Sequence, residues 1–575
     1  MPDPTSAVDA LRADAVRRGD LVAIALSDAG IALSWSTGSW KQPGPYGAVV
    51  VSAVEAALRP RWVWWSNGTP SALTAAGVRV ATCWDVAAVH RLLFGGWHAQ
   101  PARVWAQLHD LSIETIPAMG QLGLLDLSAE EGADPEDAVR PDGHLRPEWT
   151  SGGWGSTVQR LTMWAATAMQ ACRMQQARID ALPGTNGADA TARSESAAEL
   201  LCTELALDGL PFDVATAEAL LAATIGGRPR NECDADESRR RRDELVTNNP
   251  AAGPNVDLRN PAHVRQMLSG AGIDVTDTRA WRLEPFREAH PLVDALLTWR
   301  KAERMATTYG YAWLDANVGP DGRLRGAWTG SDGAAGRMTA QAGLHNMPAD
   351  MREAVMAEPG HVFVHADLGQ IEPRVLAAVS GDVQLAAATA SHDLYAPIAE
   401  RLGVARPVAK VAVLAAMYGQ TSGTAGEALR GLENAYPVAM QFLRNADRSG
   451  QAGRDVRTYG GRMVRMWVAP DGRENRSATA ARGRYARNAV IQGAAAELFK
   501  AWAVTVRGRA VPIGGRIVLC LHDELLIQVP EEHGAAMVRV LEEALPDAAQ
   551  RWMPGSPVRY VAKASVIRRW SEAKG

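Results

Sequence analysis

The chain has 575 residues, 47% of them hydrophobic and 22% charged, and a formal charge of −4. At roughly 100 to 200 residues per domain this length excludes a single hydrophobic core, and the composition excludes a disordered or fibrous chain, so two to four folded units are expected. With so little net charge, affinity for a polyanion has to come from a local basic face.

The five cysteines, Cys83, Cys172, Cys202, Cys233 and Cys520, are scattered and never spaced C-x-x-C, which supports neither a disulfide framework nor a zinc cluster. No basic-then-apolar segment opens the sequence, and no run of about 18 apolar residues occurs, so neither export nor membrane anchoring is expected. A cytoplasmic protein, of a bacterial cell or of a phage host, is the expectation.

In residues 1–127, β-type runs at 21–26, 48–54, 61–65 and 78–84 surround a helical pattern at 86–94, which predicts a small α/β unit. From 128 to 155 the sequence turns to Glu-Glu-Gly-Ala-Asp-Pro-Glu-Asp and then to Gly, Pro and Trp, a composition that breaks periodic structure and reads as a linker. Helical spacing returns at 157–181 and 194–223, so the middle is mostly helical. The run Arg239 to Arg242 reads as a solvated helix face, and no internal repeat is visible.

Residues 361–367, His-Val-Phe-Val-His-Ala-Asp, alternate in the manner of a strand and place Asp367 at its end; a helix is predicted over 370–380. Residues 516–521 and 524–530 are two further β-type runs separated by His522-Asp523, a hairpin with Asp523 at its turn. Two carboxylates displayed by one sheet can hold two Mg²⁺ ions about 3.5 to 4 Å apart, which activates an attacking hydroxyl and stabilises a leaving phosphate oxygen. Singly, each acid reads better as ordinary strand-end solvation.

Residues 406–419 carry Pro near the start, good helix formers throughout and Gly at the end, a well-punctuated helix. Steps of four place Arg406, Lys410, Leu414 and Tyr418 on one stripe, each advancing about 40°. Two cations can meet phosphates there, while Leu414 and Tyr418 offer surfaces for a sugar and a base. From Arg454 to Arg487, nine arginines stand against three acids, a local excess of six positive charges. Such a patch suits sequence-independent backbone contact.

Asp367-Leu-Gly-Gln-Ile-Glu372-Pro-Arg374 with Ser380-Gly-Asp382, Arg406-x-x-x-Lys410 with Tyr418-Gly419, and His522-Asp523-Glu524 resemble, in order and spacing, motifs A, B and C of the family A DNA polymerases, the DNA polymerase I family. Gly336-Arg337-Met through Asn346-Met-Pro348, and Arg484-x-x-x-Asn488-x-x-x-Gln492-Gly493, are similar to further stretches of that family. The resemblance covers roughly residues 194–575. It implies template-directed, primer-dependent DNA synthesis from dNTPs with two Mg²⁺ ions, Mn²⁺ being a substitute. Asp367 and Asp523, helped by the Leu368 carbonyl, would hold the metals, and Glu524 would be a supporting acid. Arg406 and Lys410 would grip the triphosphate, Lys410 also protonating the departing pyrophosphate. Glu372, paired with Tyr418, would exclude a 2′-hydroxyl; Gln370, Leu414 and Tyr395 complete the nucleotide side. Arg337, Asn346, Arg484, Asn488, Gln492 and His522 would touch primer and template.

Three positions depart from the family pattern. Leu414 stands where Phe or Tyr is usual, Pro373 where Leu is usual, and Asp393-Leu-Tyr395 where Asp-Ile-His is usual. The family's exonuclease domain opens its two-metal site with Asp-x-Glu on the first strand. Here residues 21–28 offer one acid, Asp28, and the only Asp-x-Glu before the thumb, Asp134-Pro-Glu136, falls in the presumed linker. An exonuclease-like remnant is expected, with 3′ to 5′ activity doubtful.

The resulting expectation is an α+β multidomain chain: a right-hand polymerase with an antiparallel palm sheet and helical fingers and thumb, behind an α/β exonuclease-like domain. Its boundaries are 1–127 for that domain, 128–193 for linker and helical connection, 194–330 for the thumb, 331–395 and 484–575 for the two parts of the palm, and 396–483 for the fingers. Partners are primed DNA and dNTPs, the chain acting as a monomer without membrane. A single-subunit RNA polymerase and a catalytically silent nucleic-acid-binding protein are the alternatives.

Overall fold

The structure is a computed structural model and describes residues 5–119, 136–184, 187–253, 256–419, 425–467 and 475–573. It forms two compact units. The first comprises Met1–Asp208, Ala327–Ala340 and Gly360–Val566; the second comprises Gly209–Gly326, Gln341–Pro359 and Ile567–Gly575.

The first unit opens with a five-stranded sheet in the order Ser39–Pro43, Gly30–Ser34, Leu21–Ser27, Arg61–Trp64, Thr82–Asp85. The first three strands are antiparallel and the last two join in parallel. Alternation along the strands sends Val22, Ile24, Ile31, Leu33, Trp62 and Trp64 into one core and Ala23, Ala25, Ala32, Val63 and Trp84 into another, so both faces are covered.

Two sequence expectations fail here. Residues 48–54 lie in a helix, Gly47–Leu58, because Val50, Val51 and Val54 fall on one helical face and are buried there, and that burial outweighs the β preference of a valine run. Of the run 78–84, only residues 82–84 are in a strand, Thr82–Asp85. The helix Val86–Phe94 forms as read, with Asp85 as its N-cap accepting from the Ala88 amide. The strands Gly30–Ser34 and Ser39–Pro43 lay outside the four β-type runs read from the sequence.

The described part of 128–193 is also more than a connection. Trp149, Leu161, Trp164, Ala168 and Cys172 are buried in the same core as Trp84 and Trp105, and the helix Val158–Asp180 covers the sheet. The following helix, Ala188–Asp208, belongs to the first unit. Its Glu195 is buried against Lys500 and Arg462, an attachment that charged groups out of water cannot give up cheaply.

The palm sheet has the strand order Arg516–Leu521, Glu524–Pro530, His361–Leu368, Ala562–Ile567. Its two central strands are antiparallel, pairing His361 with Pro530 through to Asp367 with Glu524. Behind it runs the helix Arg476–Ala510, buried on nearly all sides. The helical segment Arg476–Ile513 is long and apolar enough to cross a membrane, and 78% of its apolar window is buried inside the protein. The helix Arg406–Tyr418 buries Ala409, Ala412, Val413 and Met417 in a separate fingers core with Leu443 and Ile491.

The second unit is helical around Val264, Leu268, Leu292, Leu296 and Trp299, all buried. The arginine run sits on the helix Glu232–Thr247, where Arg240 and Arg241 pair with Glu237 and Arg242 pairs with Glu303. Arg239, Arg240 and Arg241 are exposed, whereas Arg242 is half-buried against Glu303.

Candidate active site

The strand His361–Leu368 carries Asp367 one residue before its end, and the hairpin beside it turns through His522 and Asp523. Only the first residue of that two-residue turn, His522, has positive φ (53°), a conformation that costs a non-glycine residue about 1 kcal/mol or more and is held by the flanking ladder. The Leu368 amide donates to the Asp523 carbonyl at 3.0 Å, and Asp367 stands opposite Glu524. Two acids more than 150 positions apart are thereby neighbours at one end of one sheet.

Their electrostatics follow from that closeness. Burial raises the Asp367 carboxyl above its ordinary value, partly offset by His365. Asp523 is pushed up to about 6, first by burial and then by repulsion from Asp367. Glu524 adds to both shifts, its charge raising Asp367 and Asp523 further, while its Oε1 lies 2.9 Å from Nε2 of the buried His365. The third acid therefore stands beside the two aspartates with a histidine partner of its own. Among the described residues no group of three or more His, Cys, Asp or Glu could hold a metal. Two carboxylates still fit Mg²⁺, which is commonly held by one or two of them together with substrate phosphates.

A cavity of about 270 Å³ opens beside Asp523, lined among others by Glu372, Tyr395, Leu414, Ala495 and His522. Glu372, in the first turn of the helix Ile371–Ser380, accepts from Arg337 Nη2 at 2.9 Å and from the Tyr418 hydroxyl at 2.9 Å. Burial and the neighbouring Glu372 hold the Tyr418 phenol above its usual range. Pro373 is accommodated because it sits in that helix's first turn, where an amide has no intrahelical acceptor. Gly336, before Arg337, has φ of 64° and a Cβ there would meet the Arg462 guanidinium at 2.3 Å, so only glycine lets that buried arginine brace the Arg337 strand.

Arg406 and Lys410 are exposed on the same helix as Leu414 and Tyr418, and neither lines the cavity. Arg406 is engaged: its Nε donates to Asp393 at 2.5 Å and its Nη2 at 3.1 Å, which holds the Asp393 carboxyl below its usual value. Asp393 also accepts from Gln370 Nε2 at 2.7 Å, while Gln370 Oε1 accepts from the Leu394 amide. Gln370, at φ of 55°, therefore orients the loop that carries Tyr395. The Tyr395 phenol is pushed up to about 12 by burial and by Glu372.

Sequence reasoning missed the two residues that organise this loop. Asp393 was read only as part of a departing motif. Arg374, wholly buried, donates to the carbonyls of Gly369, Thr389, Ser391, His392 and Arg559. Neither role has a signal in spacing, because every Arg374 acceptor is a backbone oxygen.

On the long helix, Arg484, Asn488 and Gln492 form a partly open stripe along an otherwise buried rod. Asn346 belongs to the second unit, exposed in the turn Leu344–Asn346, its carbonyl accepting from Arg304. The arginine-rich patch needs correction. Arg462, Arg482 and Arg487 are buried and the half-buried Arg457 donates to the Leu93 carbonyl, whereas Arg454, Arg465, Arg476 and Arg484 are exposed, so about half of that charge among the described residues is structural. Asp471, Arg473 and Glu474 lie outside the described residues, as does Asp134 of Asp134-Pro-Glu136.

In the first unit's α/β region two acids are held by structural hydrogen bonds. Asp14 accepts from Trp35 and Thr37, and Asp85 from Trp64 and Ala88, while the strand Leu21–Ser27 carries no acid.

A palm sheet with paired acids, flanked by a cationic helix, places the protein among polymerases of right-hand build. In agreement, the fold resembles that of the POL domain of Pol1 from M. smegmatis, solved in complex with DNA primer-template and dNTP, with a TM-score of 0.67 at 20% identity over 99% of each chain. The family pattern of DNA polymerase family A matches residues 258–572, more than half of the chain, and the chain belongs to that family. DNA polymerase I of Chloroflexus aurantiacus is 33% identical over 315 residues, which is 49% of this chain and 33% of that protein. The thermostable DNA polymerase I of Thermus thermophilus is 31% identical over 297 residues, 47% of this chain and 35% of that protein. The chain spans about a third of the length of these curated relatives.

Proposed function

We propose that this chain carries out template-directed, primer-dependent DNA synthesis, joining dNTPs to a primer 3′-hydroxyl with release of pyrophosphate. The observation that carries the reading is the juxtaposition of Asp367 and Asp523 beside a cavity walled by Glu372 and Leu414. Divalent ions, Mg²⁺ or Mn²⁺, held by the two aspartates with the Leu368 carbonyl, would activate the primer hydroxyl and neutralise charge on the phosphates. Lys410 and Arg406 bring two cations to the triphosphate side, Arg406 exchanging Asp393 for phosphate, and Lys410 supplies a proton to the departing pyrophosphate. Glu372, fixed from both sides by Arg337 and Tyr418, fills the space a 2′-hydroxyl would take and so favours DNA precursors. In this reading the protein is a monomer acting on primed DNA in the cytoplasm, and its α/β region is an exonuclease-like remnant.

Primer extension by the wild type, Asp367→Ala and Asp523→Ala tests the reading, run beside single-stranded DNA without nucleotides. Extension by the wild type and not by the variants is expected. Near wild-type product from either variant overturns the metal assignment, product from ribonucleotides alone favours an RNA polymerase, and degradation of the single strand overturns the exonuclease assignment.

A further inference from the structure

Trp467 is 49% exposed, a large apolar surface to leave in water, and its ring meets Tyr485 at 4.9 Å in an edge-on arrangement. The pair is rigidly mounted. Arg482, buried, donates from Nη1 to the Trp467 carbonyl at 3.0 Å, and the preceding Met466 amide donates to Asp455 at 2.7 Å. Tyr485 rests on a small core of Val464, Met466, Ala486 and Ala489.

The position of this pair gives it meaning. Tyr485 follows Arg484, which is exposed and has no ion pair among the described residues. Arg484 packs against the end of the cationic helix, where Gly419 has φ of 68° and a Cβ would meet the Arg484 Cγ at 2.8 Å. From there Asn488 and Gln492 lead along the same face to Ala495 and Ala496 in the cavity wall. Eleven residues of helix separate Arg484 from Ala495, roughly 16 Å, or about five nucleotides at 3.4 Å each. An exposed aromatic plane beside a free arginine, a few nucleotides from the reaction site, fits a base with its faces open. Bases inside a duplex already stack on each other, so the occupant has to be unpaired.

Resting on the polymerase reading, we infer that Trp467, backed by Tyr485, is a stacking platform for an unpaired base of the template strand, with Arg484 contacting the adjoining phosphate. Nothing in the reaction itself requires the platform; it holds single-stranded template on its way to or from the cavity.

The test compares a primer-template bearing a 5′ template overhang with a blunt duplex of the same sequence, using Trp467→Ala and Trp467→Phe. Trp467→Ala is expected to weaken overhang binding by about tenfold while leaving the blunt duplex unchanged. Trp467→Phe should restore most of the loss, and the salt dependence should not change because no charge is removed. A 2-aminopurine placed in turn at each unpaired template position should show one position whose fluorescence is quenched by the wild type and not by Trp467→Ala. Equal loss on both DNAs, no loss on either, or the absence of any such position overturns the platform. The polymerase reading is judged separately by wild-type extension: overhang-selective binding without synthesis would refute the enzyme and leave the platform standing.

Discussion

The Tyr418 hydroxyl donates to Glu372 Oε2 at 2.9 Å, tying the last turn of the cationic helix to the first turn of the helix that follows Asp367. Arg337 holds the other carboxylate oxygen, so Glu372 has little freedom to move aside. Replacing Glu372 with Ala should open the space beneath the sugar. Discrimination between dNTP and rNTP, read as the ratio of kcat/KM values, is expected to fall by about 10- to 200-fold. An unchanged ratio would remove Glu372 from sugar selection. Tyr418→Phe keeps the wall and loses one hydrogen bond, so an effect of only about 1 kcal/mol, or fivefold, is expected.

Asp523 links catalysis to stability in opposite senses. Its carboxyl is raised to about 6 from an ordinary 3.8 by burial and by Asp367. For a raised acid, the folded state binds the proton more tightly, so the favourable contribution is present below the unfolded pKa and is lost as pH rises towards 6. Asp523→Asn should therefore abolish synthesis and yet raise metal-free stability at pH 8, by at most about 3 kcal/mol. Denaturation in the presence of a chelator measures this; a destabilised Asp523→Asn would show that the two acids do not repel.

Arg374 is a buried cation whose partners are all carbonyls. Arg374→Ala leaves these oxygens without donors and should cost about 3–5 kcal/mol in denaturant unfolding. Arg374→Lys, with a single ammonium in place of a planar fork, is expected to recover only part of it.

Glu497 sits wholly buried on the long helix, accepting from the Thr458 hydroxyl and, at 2.9 Å, from the Gly460 amide. Burial pushes its carboxyl up to about 7 from an ordinary 4.5. The contribution of Glu497 to folding stability should therefore decline as pH rises from about 4.5 to 7, by up to about 3 kcal/mol, and stay level above that. Glu497→Gln should remove this slope. Parallel stability-against-pH curves for the two proteins would refute the assignment.

Local pattern carried much of this protein. Alternation set the strand ending at Asp367, proline and glycine punctuation set the helix from Arg406 to Tyr418, and His522-Asp523 between two β-type runs set the hairpin, because each depends only on neighbours a few residues apart. Where partners came from distant segments, the sequence was silent or misleading. The valines of 48–54 became a helix once a core lay beneath one face, and Glu524 was drawn to His365. Arg457, Arg462 and Arg482, among the arginines between 454 and 487, were taken up by carbonyls and a buried acid instead of facing outward.

By itself the sequence determined which side chains could perform the chemistry and the order in which they occur, since residue type and short-range spacing are written directly in the chain. Tertiary structure alone decided that Asp367 and Asp523 stand side by side, that Arg406 rests on Asp393, and that Arg374 holds the loop ahead of Tyr395. Those contacts arise from burial and from hydrogen bonds between segments far apart in the chain, and no local periodicity encodes them.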